Sequence, residues 1–354
     1  MSILGDEGAL RRADPSGMLE AFASTPGQLA RSYEAARASG IPFAGAVRSV
    51  AVCAMGGSAA AGDLVAAAYA DRLDGPMVVL RGYRVPGGYG EDDLVLCVSY
   101  SGDTEETVAA HGAARQRGAR PVAVCGGGEL LARAAEADTP AVRILAEAPV
   151  PRAGLGALVG GILGAIVATG VLSGVDQDVE DALSTLEETA RELAPGQAED
   201  RNEAKHIAAW VGDRIPLVWG SEGLTGAAAW RWKTAFNENA EIPSFASTLP
   251  ELDHHEVVGW ADGRGAGFCL VVLRDEGEHP TVQPRLDATL EEIEGAGMDW
   301  REVRSRGRTL IARAMSLALV GDLASTYLAL LRGVDPAAMD SLTRIKERLA
   351  KVRR

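Results

Sequence analysis

What most limits the fold of this chain is a repeated order: a short apolar run, a glycine- and serine-rich turn, then a helix-forming stretch. Residues 50–55 form a fully apolar run of buried-strand length, end in Gly56-Gly57-Ser58, and pass into helix-forming sequence through Tyr69. Residues 77–80, 94–98 and 121–125 are further strand candidates, and a helix is expected from about Glu105 to Arg117. The order resumes in the second half. Residues 215–219 lead into Gly220-Ser221-Glu222-Gly223 and a helix with Trp230 and Trp232; residues 268–273 form another buried strand, and residues 310–331 a long apolar helix. Strands apolar on both faces, alternating with helices, imply βαβ units on a parallel sheet covered on both sides. The chain is therefore expected to be α/β, with two similar lobes.

A chain of 354 residues has room for two domains. Residues 1–40 read as a helical lead-in, with Leu19, Phe22, Leu29 and Tyr33 on helical spacing, and residues 41–175 as the first lobe. Residues 176–205 read as a charged helical linker interrupted at Pro195-Gly196, and residues 206–354 as the second lobe. The last helix carries Leu342, Ile345 and Leu349 in a stripe, with Lys346 beside it.

The net charge of −14 argues against nucleic acid, whose phosphate backbone calls for clustered Lys and Arg. Cys53, Cys97, Cys125 and Cys269 lie in apolar runs without metal-ligand spacing, and no secretory leader is read. They are expected as buried thiols of a cytoplasmic protein. The apolar stretch 153–172 is glycine-rich and lacks an aromatic belt or flanking basic cluster, so a buried helix is expected there and no membrane partner.

The segment Ser99-Tyr100-Ser101-Gly102-Asp103-Thr104 follows a buried strand and opens a helix. Unpaired N–H groups and the dipole at a helix N-terminus favour an anion. Serine and threonine hydroxyls add neutral donors, and glycine lets the backbone approach closely. Gly56-Gly57-Ser58 ends the neighbouring strand, and ligands of open α/β sheets collect where two such turns meet. A phosphate site is expected here. The pattern resembles the signature of the sugar isomerase (SIS) domain, a flavodoxin-like doubly wound sheet. The resemblance implies that Ser58, Ser99, Ser101 and Thr104 hold the phosphate of a sugar phosphate, with backbone contacts from Gly56 and Gly57. That family usually has Asn where Asp103 stands, and an added negative charge makes direct phosphate contact from residue 103 unexpected.

SIS domains also serve as sensing modules, so the second half decides between binding and catalysis. Asn237-Glu238-Asn239-Ala240 places a carboxylate at the end of a helix-like segment, and Leu252-Asp253-His254-His255-Glu256 follows. Aldose–ketose isomerisation needs a base to move a proton between C1 and C2, groups to open the sugar ring, and a positive charge for the enediolate. Adjacent histidines rarely aim at one ion, so no metal is expected. The ordered motifs Asn237–Ala240, Glu251–Trp260, Gly321-Asp322, Tyr327 and Arg332–Pro336, with Met55–Ala59 and Pro151-Arg152-Ala153, resemble the bifunctional phosphoglucose/phosphomannose isomerases.

That resemblance covers most of the chain. It implies two tandem SIS lobes with a C-terminal helix, no cofactor, and a homodimer with its active site at the interface. It assigns Glu238 as the proton-transfer base, His254 and Lys346 to ring opening, and Arg152 to the enediolate, with His254 donated by the partner subunit. After Asp335-Pro336 the family often carries a small hydroxyl residue associated with the mannose epimer, where this chain has Ala337. Glucose 6-phosphate is therefore the expected aldose before mannose 6-phosphate, with fructose 6-phosphate as the ketose. The alternatives left open are a non-catalytic sugar-phosphate sensor and an isomerase of another phosphosugar.

Overall fold

A computed structural model describes residues 3–352 other than 42, 44, 261, 262, 264 and 296. The first 40 residues give three helices: α1 (Glu7–Ala13), α2 (Met18–Ala23) and α3 (Thr25–Arg37). Then β1 (Ser49–Ala54), α4 (Gly56–Tyr69), β2 (Met77–Leu80), β3 (Asp93–Ser99), α5 (Glu105–Gln116), β4 (Arg120–Cys125), α6 (Gly128–Glu136) and β5 (Ala141–Arg143) follow. A 3-10 turn at Pro151–Gly154 leads into α7 (Leu155–Ala168). The middle of the chain forms α8 (Asp176–Glu192) and α9 (Glu203–Val211). A second alternation comprises β6 (Ile215–Ser221), α10 (Leu224–Asn239), β7 (Phe245–Leu249), α11 (Val257–Trp260), β8 (Phe268–Arg274), α12 (Val282–Gly295) and β9 (Trp300–Arg304). The chain ends in α13 (Leu310–Leu331) and α14 (Asp340–Val352).

Both sheets are wholly parallel, in the orders β2-β1-β3-β4-β5 and β7-β6-β8-β9. These are the doubly wound orders expected of tandem SIS lobes, with five strands in the first sheet and four in the second among the described residues. In each, the order reverses between the first and third strands of the lobe, which opens a crevice at their carboxyl ends. In the first lobe those ends are Ala54 and Ser99, the starting points of the two glycine- and serine-rich turns.

The helices explain the glycine usage. Gly156, Gly160 and Gly164 recur at intervals of four on α7 and form a groove that α3 fills. A methyl at these positions would lie 2.3 Å from the Thr25 oxygen, 2.4 Å from the Leu29 oxygen and 2.5 Å from the Ala36 Cβ. The glycine-rich stretch thus folds as a buried helix, as its composition implied. The other stretch apolar enough to cross a membrane, α13, is also largely enclosed. It is buried from Ile311 to Leu330 and packs on α4, α8, α9 and α10, so it forms the centre of the molecule. A helix enclosed all round has no need of a polar face.

Candidate active site

The serine-rich turn at 99–104 is held by its own hydroxyls. Ser99 Oγ accepts the Gly102 N–H at 3.0 Å and lies 2.9 Å from Thr104 Oγ1. The Tyr100 N–H donates to Ser58 Oγ at 3.3 Å, which ties the two turns together across the crevice. Ser58 and Ser99 are buried, Thr104 is half-buried at the N-cap of α5, and Ser101 is exposed and accepts the Asp103 N–H at 3.2 Å. The Asp103 carboxylate turns away, accepting the Glu129 N–H at 2.9 Å in the first turn of α6. Its negative charge is thus engaged at the neighbouring helix. Gly56 has φ +51° at the start of α4.

The second lobe has the same crevice but a different occupant. Ser221 at the end of β6 donates to Glu278 Oε1 at 3.0 Å, and Arg274 Nε at the end of β8 donates to Glu278 Oε2 at 2.8 Å. A carboxylate of the chain itself stands between the two turns. The Gly-Ser turn at 220–223, which echoes the first lobe in sequence, therefore opens onto a crevice already filled.

Arg152 is the organising side chain of the other half of the site. It lies in the 3-10 turn, 3% exposed, with every arm of its guanidinium facing a partner. Nε donates to Asn239 Oδ1 at 2.8 Å; Nη2 donates to the Pro336 oxygen at 2.5 Å and the Ala338 oxygen at 3.1 Å. Nη1 lies 3.7 Å from Glu238 Oε2. Ala337 stands between the two carbonyls that Arg152 grips. Burial lowers the Arg152 pKa, and the Glu238 carboxylate opposes that effect. The cation at this position is therefore maintained by its acidic neighbour against desolvation.

Glu238 is the penultimate residue of α10, its side chain 30% exposed. It faces an open cleft of about 510 Å³ lined by Arg152, Asn237, Ala338, Met339 and Leu342 among others. The two halves of the site meet at Gly57, where a Cβ would fall 3.7 Å from Arg152 Cα and 3.9 Å from Arg231 Nη1. The structure thus brings Gly57, beside Ser58, together with Arg152 and Glu238. It does not bring His254 or Lys346 to them within one chain. His254 is exposed at the end of the turn Glu251–His254, and Lys346 is exposed on α14; neither lines the cleft.

Two buried charges here escaped the sequence reading. Arg231 pairs with Asp322 at 2.7 Å and donates to the Arg152 oxygen at 2.7 Å. Burial pushes the Asp322 pKa up to about 7, with Arg231 opposing the rise and Glu238 adding to it. Asp322 was visible only as part of a motif, and Arg231 lies seven residues before Glu238, on the same helix face. That spacing, with a charge between two tryptophans, was the available signal.

Comparison with known proteins gives the family. The Bacterial phospho-glucose isomerase C-terminal SIS domain matches residues 200–349. A bifunctional phosphoglucose/phosphomannose isomerase of Caldicellulosiruptor bescii is 31% identical over 339 residues, spanning 95% of this chain and 100% of that protein. One from Aquifex aeolicus is 33% identical, spanning 86% and 91%. Among solved structures, a glucose-6-phosphate isomerase like protein from Thermus thermophilus matches with a TM-score of 0.62 at 23% identity, covering 95% of this chain and 97% of that one. The order of motifs, the tandem parallel sheets and this extent of identity agree, and the chain belongs to the bifunctional phosphoglucose/phosphomannose isomerase family.

Proposed function

We propose that this protein interconverts glucose 6-phosphate and fructose 6-phosphate through an enediol intermediate, with mannose 6-phosphate as a second, poorer aldose. The observation that carries the reading is the Glu238 carboxylate, half-open to a cleft and 3.7 Å from the guanidinium of buried Arg152, whose Cα stands beside Gly57 of the Gly56-Gly57-Ser58 turn. Ser58, Ser99, Ser101 and Thr104, with the Gly56 and Gly57 amides, hold the phosphate and fix one end of the sugar. Glu238 removes the proton from C2 of the open-chain aldose and returns it to C1, and the Arg152 charge stabilises the enediolate between those steps.

Ring opening falls to His254 and Lys346. The exposed position of His254, outside the cleft lining, supports a site completed by a second copy of the chain, His254 coming from the partner subunit, while Lys346 stands on α14 one turn beyond Leu342 of the cleft. Exposed apolar side chains support that homodimer: Trp230, Phe245 and Val258 on the second lobe, and Leu342, Ile345 and Leu349 on α14. The substrate chemistry and the acidic balance of the chain fit a cytoplasmic enzyme of carbohydrate metabolism.

The test is turnover. The purified protein is expected to convert glucose 6-phosphate to fructose 6-phosphate, and mannose 6-phosphate with a lower kcat/KM, because Ala337 offers no hydroxyl. Binding of fructose 6-phosphate without formation of either aldose would overturn the enzyme reading in favour of a sensing module.

A further inference from the structure

Arg231 holds no substrate group in the scheme above, yet it is among the largest fully buried side chains of the molecule, 1% exposed. Taking a guanidinium out of water costs several kcal/mol unless its partners are well placed, so those partners indicate its role. Asp322 on α13 supplies the counter-charge, its Oδ1 2.7 Å from Nη2. The fork is not closed on that carboxylate, however. The same Nη2 donates to the Arg152 carbonyl at 2.7 Å, and Nε has no partner among the described residues. Nη1 lies beside Gly57 of the Gly56-Gly57-Ser58 turn. A guanidinium present only to neutralise an acid would favour two parallel bonds to it. This one reaches instead for the backbone of the residue that carries the site's positive charge.

The placement along α10 extends the point. Arg231, Glu238 and Asn239 all stand on this helix and all contact Arg152: Arg231 at its carbonyl, Glu238 and Asn239 at its guanidinium. Asn239 is oriented in turn, donating from Nδ2 to Ser325 Oγ at 2.9 Å on α13, one turn past Asp322. One helix therefore carries the carboxylate and fixes the backbone and side chain of the cation that faces it, and α13 braces both supports.

We propose that Arg231 and Asp322 form a positioning dyad for the isomerase site, locking the Pro151–Gly154 turn so that Arg152 stands beside Glu238 and against Gly57. The proposal rests on the isomerase reading given above. Neither residue touches the sugar; their effect passes through Arg152.

The test separates positioning from stability. Arg231→Met leaves Asp322 buried and unpaired, so it should lower both thermal stability and kcat. The double variant Arg231→Met with Asp322→Leu removes both charges and refills the space, and such replacements of buried pairs are often tolerated by the fold. It should recover its unfolding temperature while kcat for fructose 6-phosphate stays down about 100-fold, as expected for a misplaced charge. KM should remain within about threefold, because the phosphate hydroxyls are untouched. Arg231→Lys gives an independent readout should the double variant not fold. Its ammonium ends one bond short of the Nη2 position from which both the Arg152 carbonyl and Asp322 are reached, so kcat should fall about tenfold with little loss of stability.

A double variant or Arg231→Lys with kcat within about threefold of the wild type would overturn the proposal and leave the pair purely structural. A wild-type protein that turns over neither aldose would overturn the isomerase reading itself, and the dyad with it.

Discussion

A methyl group on Gly102 would lie 1.7 Å from the Gly127 oxygen, and the residue has φ +84°, where L side chains are strained. The phosphate turn can therefore close against the Gly126-Gly127-Gly128 run only because residue 102 has no side chain. Gly102→Ala is expected to force the two turns apart, costing about 3 kcal/mol or more of stability. KM for fructose 6-phosphate should rise at least about tenfold as the Ser99 and Thr104 hydroxyls lose their register. Urea unfolding and steady-state kinetics check both numbers, and an unchanged KM would show that the turn tolerates opening. The turn itself was legible in the sequence, because Ser, Thr and Gly crowd one short segment between a buried strand and a helix. The reason Gly102 is needed was not legible, since its partner Gly127 comes from the next strand-to-helix turn. Arg231 was hidden for a similar reason: a buried charge is recognisable only once its partner is known, and Asp322 lies 91 residues further on.

Helix α13 shows the same division at the scale of elements. Its length and apolar composition read directly, and the structure keeps the expected residues 310–331. What starts it does not read from local sequence alone. Asp181, on α8, accepts from the Thr309 N–H at 2.8 Å and the Arg308 N–H at 2.9 Å, and pairs with Arg308 Nε at 3.0 Å. Burial pushes the Asp181 pKa up, but these donors outweigh it and hold the carboxyl below its ordinary value of 3.8. A depressed native pKa means stability that is present above the unfolded value and is lost as pH falls through the native one. Asp181→Asn should therefore cost about 2 kcal/mol at neutral pH. Below about pH 3.8 the wild type should converge on the variant, which urea midpoints across pH 2.5–7 would reveal. A constant difference across that range would refute this account of the cap. Strand β9 was not anticipated, because in Trp300–Arg304 only Val303 is fully buried and an edge strand of alternating charge carries little periodic signal. Strand β5 is only three residues long, too short for any pattern.

At the scale of the molecule, two lobes of like topology differ at their crevices: the first sets the hydroxyls of Ser58, Ser99 and Thr104 at its strand ends, while the second places Glu278 there and carries Glu238 on α10. The tandem architecture was legible because the strand–turn–helix order repeats. The proposal of a site spanning two chains rests on family resemblance, since no pattern within one sequence says which copy a residue serves. Mixing tests it. Glu238→Gln and His254→Asn chains, each inactive alone, should regain about a quarter of wild-type activity when unfolded together and refolded, because half of the resulting dimers have one intact site. No recovery would place His254 in the same site as its own chain's Glu238. The central claim, that Glu238 carries the proton between C1 and C2, is tested by incubating the protein with fructose 6-phosphate in deuterium oxide. The wild type should introduce solvent deuterium at C1 of the ketose, whereas Glu238→Gln should bind the sugar phosphate with similar affinity and introduce none. Exchange by Glu238→Gln at the wild-type rate would contradict the account.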